Sequence, residues 1–174
     1  MPSAHSLLSR AKLWRASFVG RRPKVLGRVW IHGDGDVRMG DDVVFDGSRA
    51  PIELCTHPGS TLIIGNGVRF EGGACVEAMG RIVIGDGCVV RAFVRIMDSH
   101  FHPLTGDRHE RAGATEVVVG EGCDIGARSI LLPGAHLGRG ARLGPSTVLS
   151  KPLPAGAWAS GNPPRILSPQ APLP

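Results

Sequence analysis

The sequence predicts an all-β chain wound as a solenoid of short, stacked strands, and three observations carry that reading. Val119, Ile125, Leu131, Leu137, Leu143 and Leu149 recur every six residues without a slip, and Gly120, Gly126, Gly138 and Gly144 directly follow four of them. The fourth position after each apolar residue is small: Cys123, Ser129, Ala135, Ala141 and Thr147. A helix repeats near 3.6 residues and a strand near 2, so a sustained period of six describes a short strand plus a corner. The composition agrees, with 25 glycines, 14 prolines and no tyrosine in 174 residues.

The elements follow in order. Residues 1–24 form a basic N-terminal extension: Arg10, Lys12, Arg15, Arg21, Arg22 and Lys24, with Arg28 beyond them, all precede the first acid, Asp34. Leu7, Leu8, Leu13, Trp14 and Phe18 are interspersed, so residues 5–19 read as a basic amphipathic helix. Such a helix either caps the open end of the coil or lies against an anionic membrane. The coil itself spans 25–153. Its six-residue register reappears upstream in Met39 and Phe45, in Ile64, Phe70 and Val76, and in Ile84, Val90 and Ile96. The corresponding fourth positions are Val43, Val68, Ala74, Cys88 and Val94. The pattern breaks once, at 97–116, and a C-terminal tail covers 154–174.

Several classes are excluded on composition. No run of about twenty apolar residues is present to span a membrane. Arg10, Lys12 and Arg15 interrupt the first apolar pair, so no secretory core forms and a cytoplasmic address is expected. The net charge of +5 comes without a recognition motif or an aromatic stacking platform, so no nucleic-acid partner is expected. Cys55, Cys75, Cys88 and Cys123 stand singly, without metal-ligand spacing, and read as buried reduced thiols.

The break at 97–116 is the informative segment. Its sequence from Met97 to Arg111 holds His100, His102 and His109 among charged residues. So polar a stretch projects outward, and long excursions from a rigid scaffold are where chemistry sits. A histidine there supplies a base with a pKa near neutrality. The His100-x-His102 spacing beside Asp98 is also compatible with a metal ion.

The six-residue repeat resembles that of the hexapeptide-repeat acyltransferases. The resemblance extends to Asp124-Ile125-Gly126-Ala127, to Leu143-Gly144-Pro145-Ser146-Thr147-Val148-Leu149-Ser150-Lys151 and to Gly161-Asn162-Pro163-Pro164-Arg165. Asp124 and Pro145 depart from the family's usual tryptophan and alanine. The resemblance implies a left-handed parallel β-helix with three flat faces, eighteen residues per coil and one extruded loop. It also implies a homotrimer and transfer of acetyl from acetyl-CoA to a sugar or glycan-precursor hydroxyl, with no metal.

His102, followed by Pro103, matches the family's His-Pro pair and so takes the role of general base, with His100 and His109 as competitors. Asp98 and Glu77 are the implied orienters. Gly126, Ala127, Gly144, Pro145, Ser150, Lys151 and Arg165 are the implied cofactor positions, with Lys151 and Arg165 toward the phosphates. Glu71, Glu77 and Asp98 are the implied acceptor positions. Other readings stay open: N-acetylation of an amino sugar or small metabolite, a non-catalytic scaffold, or a metalloenzyme of the carbonic anhydrase type. The last would draw on His57, His100, His102, His109 and His136.

Overall fold

The structure, a computed structural model, describes residues 4–100, 107 and 113–167, with the side chains of 4–7 left aside. Apart from one helix, Ala4–Lys12, its regular elements are short strands that stack in parallel as three faces of a column. Face A stacks Phe18–Val19, Asp36–Met39, Thr61–Ile64, Arg81–Ile84, Val117–Val119, His136–Leu137 and Pro152–Leu153. Face B carries Arg69–Glu71, Val89–Val90, Asp124–Ile125, Arg142–Leu143 and Trp158–Ser160; face C carries Cys75–Ala78, Arg95–Met97, Ile130–Leu131 and Val148–Leu149. Two long strands, Lys24–Gly33 and Val44–Thr56, run around the corner from B to C and join those faces into one hydrogen-bonded sheet.

The apolar repeat fills the column. Every member of the six-residue series is buried, and so are all ten of the fourth-position residues. Consecutive coils stack like on like, and the rings of Phe45 and Phe70 lie 5.0 Å apart and nearly parallel. Each large side chain so buried contributes about 1.5–3 kcal/mol. The glycine after the apolar residue answers a different demand, the close approach of the next coil: a Cβ on Gly126 would lie 2.5 Å from the Leu143 carbonyl oxygen.

Coil length varies more than the resemblance implies. Val118 pairs with His136 and Ile130 with Val148, eighteen positions on. Ile63 pairs with Val83, twenty positions on, and Arg38 with Ile63, twenty-five on. The extra residues bulge outward at corners, as where Gly27 faces Gly47 but Val29 faces Ile52, so the inward positions keep their stacking. Side chains at the A–B corner reinforce the stack: the Asp41 N–H donates to Asn66 Oδ1 at 2.8 Å, and the Asn66 N–H to Asp86 Oδ1 at 2.7 Å.

The N-terminal segment closes one end of the column. Leu13 is fully buried, and Ser9 Oγ accepts the Val25 N–H at 3.1 Å. The cations meet carbonyls that no earlier coil covers: Arg10 donates to Gly20 and Val19, Lys12 to Gly27 and Arg15 to Gly33. At the opposite end Arg165–Leu167 turns back antiparallel along Trp158–Ser160. The parallel ladders thus run from Phe18 to Ala159.

Cys88 and Cys123 point inward, their thiols donating to the Gly120 and Gly138 carbonyls at 3.0 and 3.1 Å. Cys55 and Cys75 do not share that burial. They lie next to inward-facing Leu54 and Val76 on face C, so strand alternation turns them outward, where they are half-buried.

Candidate active site

The excursion leaves the column at the corner between faces C and A, and its root is firmly tied. Ser99 pairs antiparallel with Ala114, and the Thr115 N–H donates to the Asp98 carbonyl at 2.7 Å. The Asp98 side chain is fully buried beneath this neck. One carboxylate oxygen accepts the Met79 N–H at 2.7 Å and the other accepts the Gly80 N–H at 2.8 Å. Asp98 therefore bolts the root of the arm to the preceding coil, and both its oxygens are committed to backbone rather than offered to an imidazole or an acceptor. His100, half-buried, stands just beyond the neck. His102 and His109 lie outside the described residues.

At the same corner, Glu77 does meet an imidazole: its Oε1 lies 3.5 Å from His57 Nε2. The pair spans one coil, since Cys55 and Glu77 are register partners on face C. The His57 N–H donates to Ser60 Oγ at 2.9 Å, which shapes the turn that presents the ring. Glu71 belongs elsewhere. It sits on face B, where one oxygen accepts the Ala92 N–H at 3.0 Å and the other faces Arg91 at 3.7 Å. Glu71 and Glu77, both expected at the acceptor, are thus on different faces.

The expected cofactor residues separate as well. Gly126, Ala127, Gly144 and Pro145 lie at the B–C corner, while Ser150 and exposed Lys151 follow face C at the C–A corner, on the same edge as the arm. Arg165 pairs in register with Ser160 on the antiparallel return. Gly126, Gly144 and Pro145 line an open groove of about 710 Å3 with Arg91, Arg142 and Trp158. Asp124 occupies that wall as a bidentate partner of Arg91, at 2.7 Å through both oxygens, and raises the guanidinium pKa further above its ordinary value. Arg142, register partner of both Asp124 and Trp158, leaves a cation beside an indole in the groove.

Among the described residues no three His, Cys, Asp or Glu side chains converge as a metal site. His57 and His136 are separated by three strand layers on face A, roughly 14 Å at about 4.8 Å per layer. Burial raises the Cys55 thiol to about 11 and keeps it from serving as a nucleophile near neutrality.

Comparison with known proteins shows what this fold is similar to. Serine acetyltransferase of Salmonella typhimurium is 32% identical over 115 residues, covering 64% of this chain and 37% of the relative. The chain thus spans little more than a third of the length of that relative. Among solved structures, the polySia-specific acetyltransferase NeuO superposes with a TM-score of 0.61 at 20% identity, covering 90% of this chain and 92% of its own. A mutant of AntD, an N-acyltransferase from Bacillus cereus in complex with dTDP and coenzyme A, superposes with a TM-score of 0.74 at 17% identity, covering 97% and 91%. No family model matches. The fold is that of a left-handed parallel β-helix. By repeat and fold, the chain is similar to the hexapeptide-repeat acyltransferases.

Proposed function

We propose that the protein is an acetyl-CoA-dependent O-acetyltransferase whose acceptor is a hydroxyl of a sugar or glycan precursor. The observation that carries this reading is the arm: a polar, histidine-bearing excursion anchored through buried Asp98 at the corner that also presents His57 and Glu77. His102 takes the proton from the acceptor hydroxyl, with His100 as the competing base. The oxygen attacks the thioester carbonyl, backbone N–H groups hold the tetrahedral oxyanion, and the collapsing intermediate expels CoA thiolate, which receives the proton from the imidazolium. No covalent acyl-enzyme forms and no metal takes part.

The structural neighbours support the two substrates: AntD holds coenzyme A and dTDP, and NeuO is specific for polySia. The placement of the expected cofactor residues supports a trimer. On one protomer they occupy opposite edges of face C, whereas a donor lying between protomers meets the B–C corner of one subunit and the C–A corner of the next. Three equivalent sites follow. Acetyl-CoA as donor accords with action in the cytoplasm.

The test is release of free thiol from acetyl-CoA by the purified protein, with sugars, amino sugars and L-serine offered as acceptors. Turnover with a sugar hydroxyl is expected, and His102→Ala is expected to remove most of it while sparing acetyl-CoA affinity. Turnover confined to amines would establish N-acetylation, the reading favoured by the likeness to AntD. Absence of turnover together with a stoichiometric bound metal would favour the metalloenzyme.

A further inference from the structure

We propose that the N-terminal end of the column is a docking surface for an anionic lipid bilayer. Five of the eight large apolar side chains exposed among the described residues belong to this end, Leu8, Trp14, Phe18, Leu26 and Trp30, with Trp14 75% and Phe18 59% exposed; Phe93, Ile166 and Leu167 lie elsewhere. The three aromatic rings form a strip through Trp14. Trp14 and Trp30 share one hollow of about 340 Å3 with Lys12 and Arg15, and Trp14 and Phe18 share an adjoining one of about 310 Å3 with Arg10. Leu13 and Ser9 plug the column from within, so the segment caps the coil with one side and leaves its aromatic side uncovered.

The charge on this end identifies the occupant. No acid precedes Asp34. Arg21 and Arg22 are offset by Asp41 and Asp42. Among the described residues, Arg10, Lys12 and Arg15 donate to neutral carbonyls and make no ion pair. Lys24 and Arg28 make no ion pair among the described residues. Arg10, Lys12 and Arg15 therefore flank exposed indole and phenyl rings, with Lys24 and Arg28 on the same end coil against a single acid, Asp34. Aromatic rings of this kind settle at the headgroup boundary, and each basic residue beside an anionic surface strengthens binding by about fivefold. Leu8 and Leu26 favour a bilayer over an acidic polysaccharide, which offers aliphatic side chains nothing to enter. The inference is independent of the acyl-transfer reading.

The test is co-sedimentation of the full chain with vesicles of phosphatidylcholine alone and of phosphatidylcholine mixed with phosphatidylserine. Binding to the mixed vesicles only is expected, weakened by salt and accompanied by a blue shift of tryptophan emission. Trp14→Ser with Phe18→Ser, and separately Lys24→Glu with Arg28→Glu, are each expected to weaken binding by at least about tenfold without changing the thermal unfolding midpoint. Three outcomes would overturn the proposal. The mixed vesicles would fail to bind; or binding would survive the Trp14 and Phe18 substitutions; or those substitutions would instead dissociate a larger assembly, meaning that a second copy of the chain covers the strip. Binding to an acidic polysaccharide in place of the mixed vesicles belongs to the first of these.

Discussion

Replacing the fully buried Asp98 by alanine removes the acceptors of two half-buried backbone N–H groups. Each donor left unsatisfied in such a place costs roughly 1–3 kcal/mol, and both bonds here are charge-assisted, so the expected loss is about 3–5 kcal/mol. In a chain of 174 residues each kcal/mol moves the thermal midpoint by about 2–4 °C, which makes the fall about 6–20 °C. Asp98→Asn keeps one acceptor oxygen and turns an N–H donor toward the other amide, so about half to two-thirds of that loss is expected. The measurement is urea unfolding of wild type and both variants, with acetyl-CoA turnover followed in parallel. Because the same contacts root the arm, turnover should fall while acetyl-CoA affinity holds. An Asp98→Ala protein within about 0.5 kcal/mol of wild type would refute the reasoning, since it would mean that the two N–H groups find other partners without cost.

Further outcomes are expected. Gly126→Ala pushes a methyl against the Leu143 carbonyl and should lower stability by about 1–3 kcal/mol in the same unfolding assay. Leu13→Ala empties the plug at the N-terminal end and should cost about 2–5 kcal/mol. Iodoacetamide at neutral pH should alkylate Cys55 only slowly, with a rate that climbs as pH rises toward about 11, while Cys88 and Cys123 react only after unfolding; mass spectrometry of labelled peptides reads both. Inactive His102→Ala and Lys151→Glu proteins, unfolded and refolded together, should regain activity if the site is shared between subunits, and equally inactive mixtures would count against a shared site.

Much of the fold was legible because the six-residue period records the stacking that buries it. Val119 through Leu149 point inward as their spacing demands. The variable coils were harder to read, because residues added at a corner, as at 48–51, leave the inward positions undisturbed and carry no period of their own. The break at 97–116 was visible for the opposite reason: it interrupts the repeat. The role of Asp98 was not, since a buried carboxylate holding backbone and an exposed one holding substrate look alike in sequence. The His57–Glu77 contact did leave a trace, a separation of one coil, but only the register of face C gives that spacing meaning. Cys55 and Cys75 were misread as buried because composition alone does not tell the two sides of a strand apart.

The neck at Ser99 and Ala114 separates two kinds of inheritance. Arg95 and Ile130 are thirty-five positions apart in sequence, yet they are adjacent rungs of the same ladder. Residues added or lost between Ser99 and Ala114 leave that ladder where it was. A column built this way can gain or lose residues in the excursion without renegotiating the packing that keeps it folded.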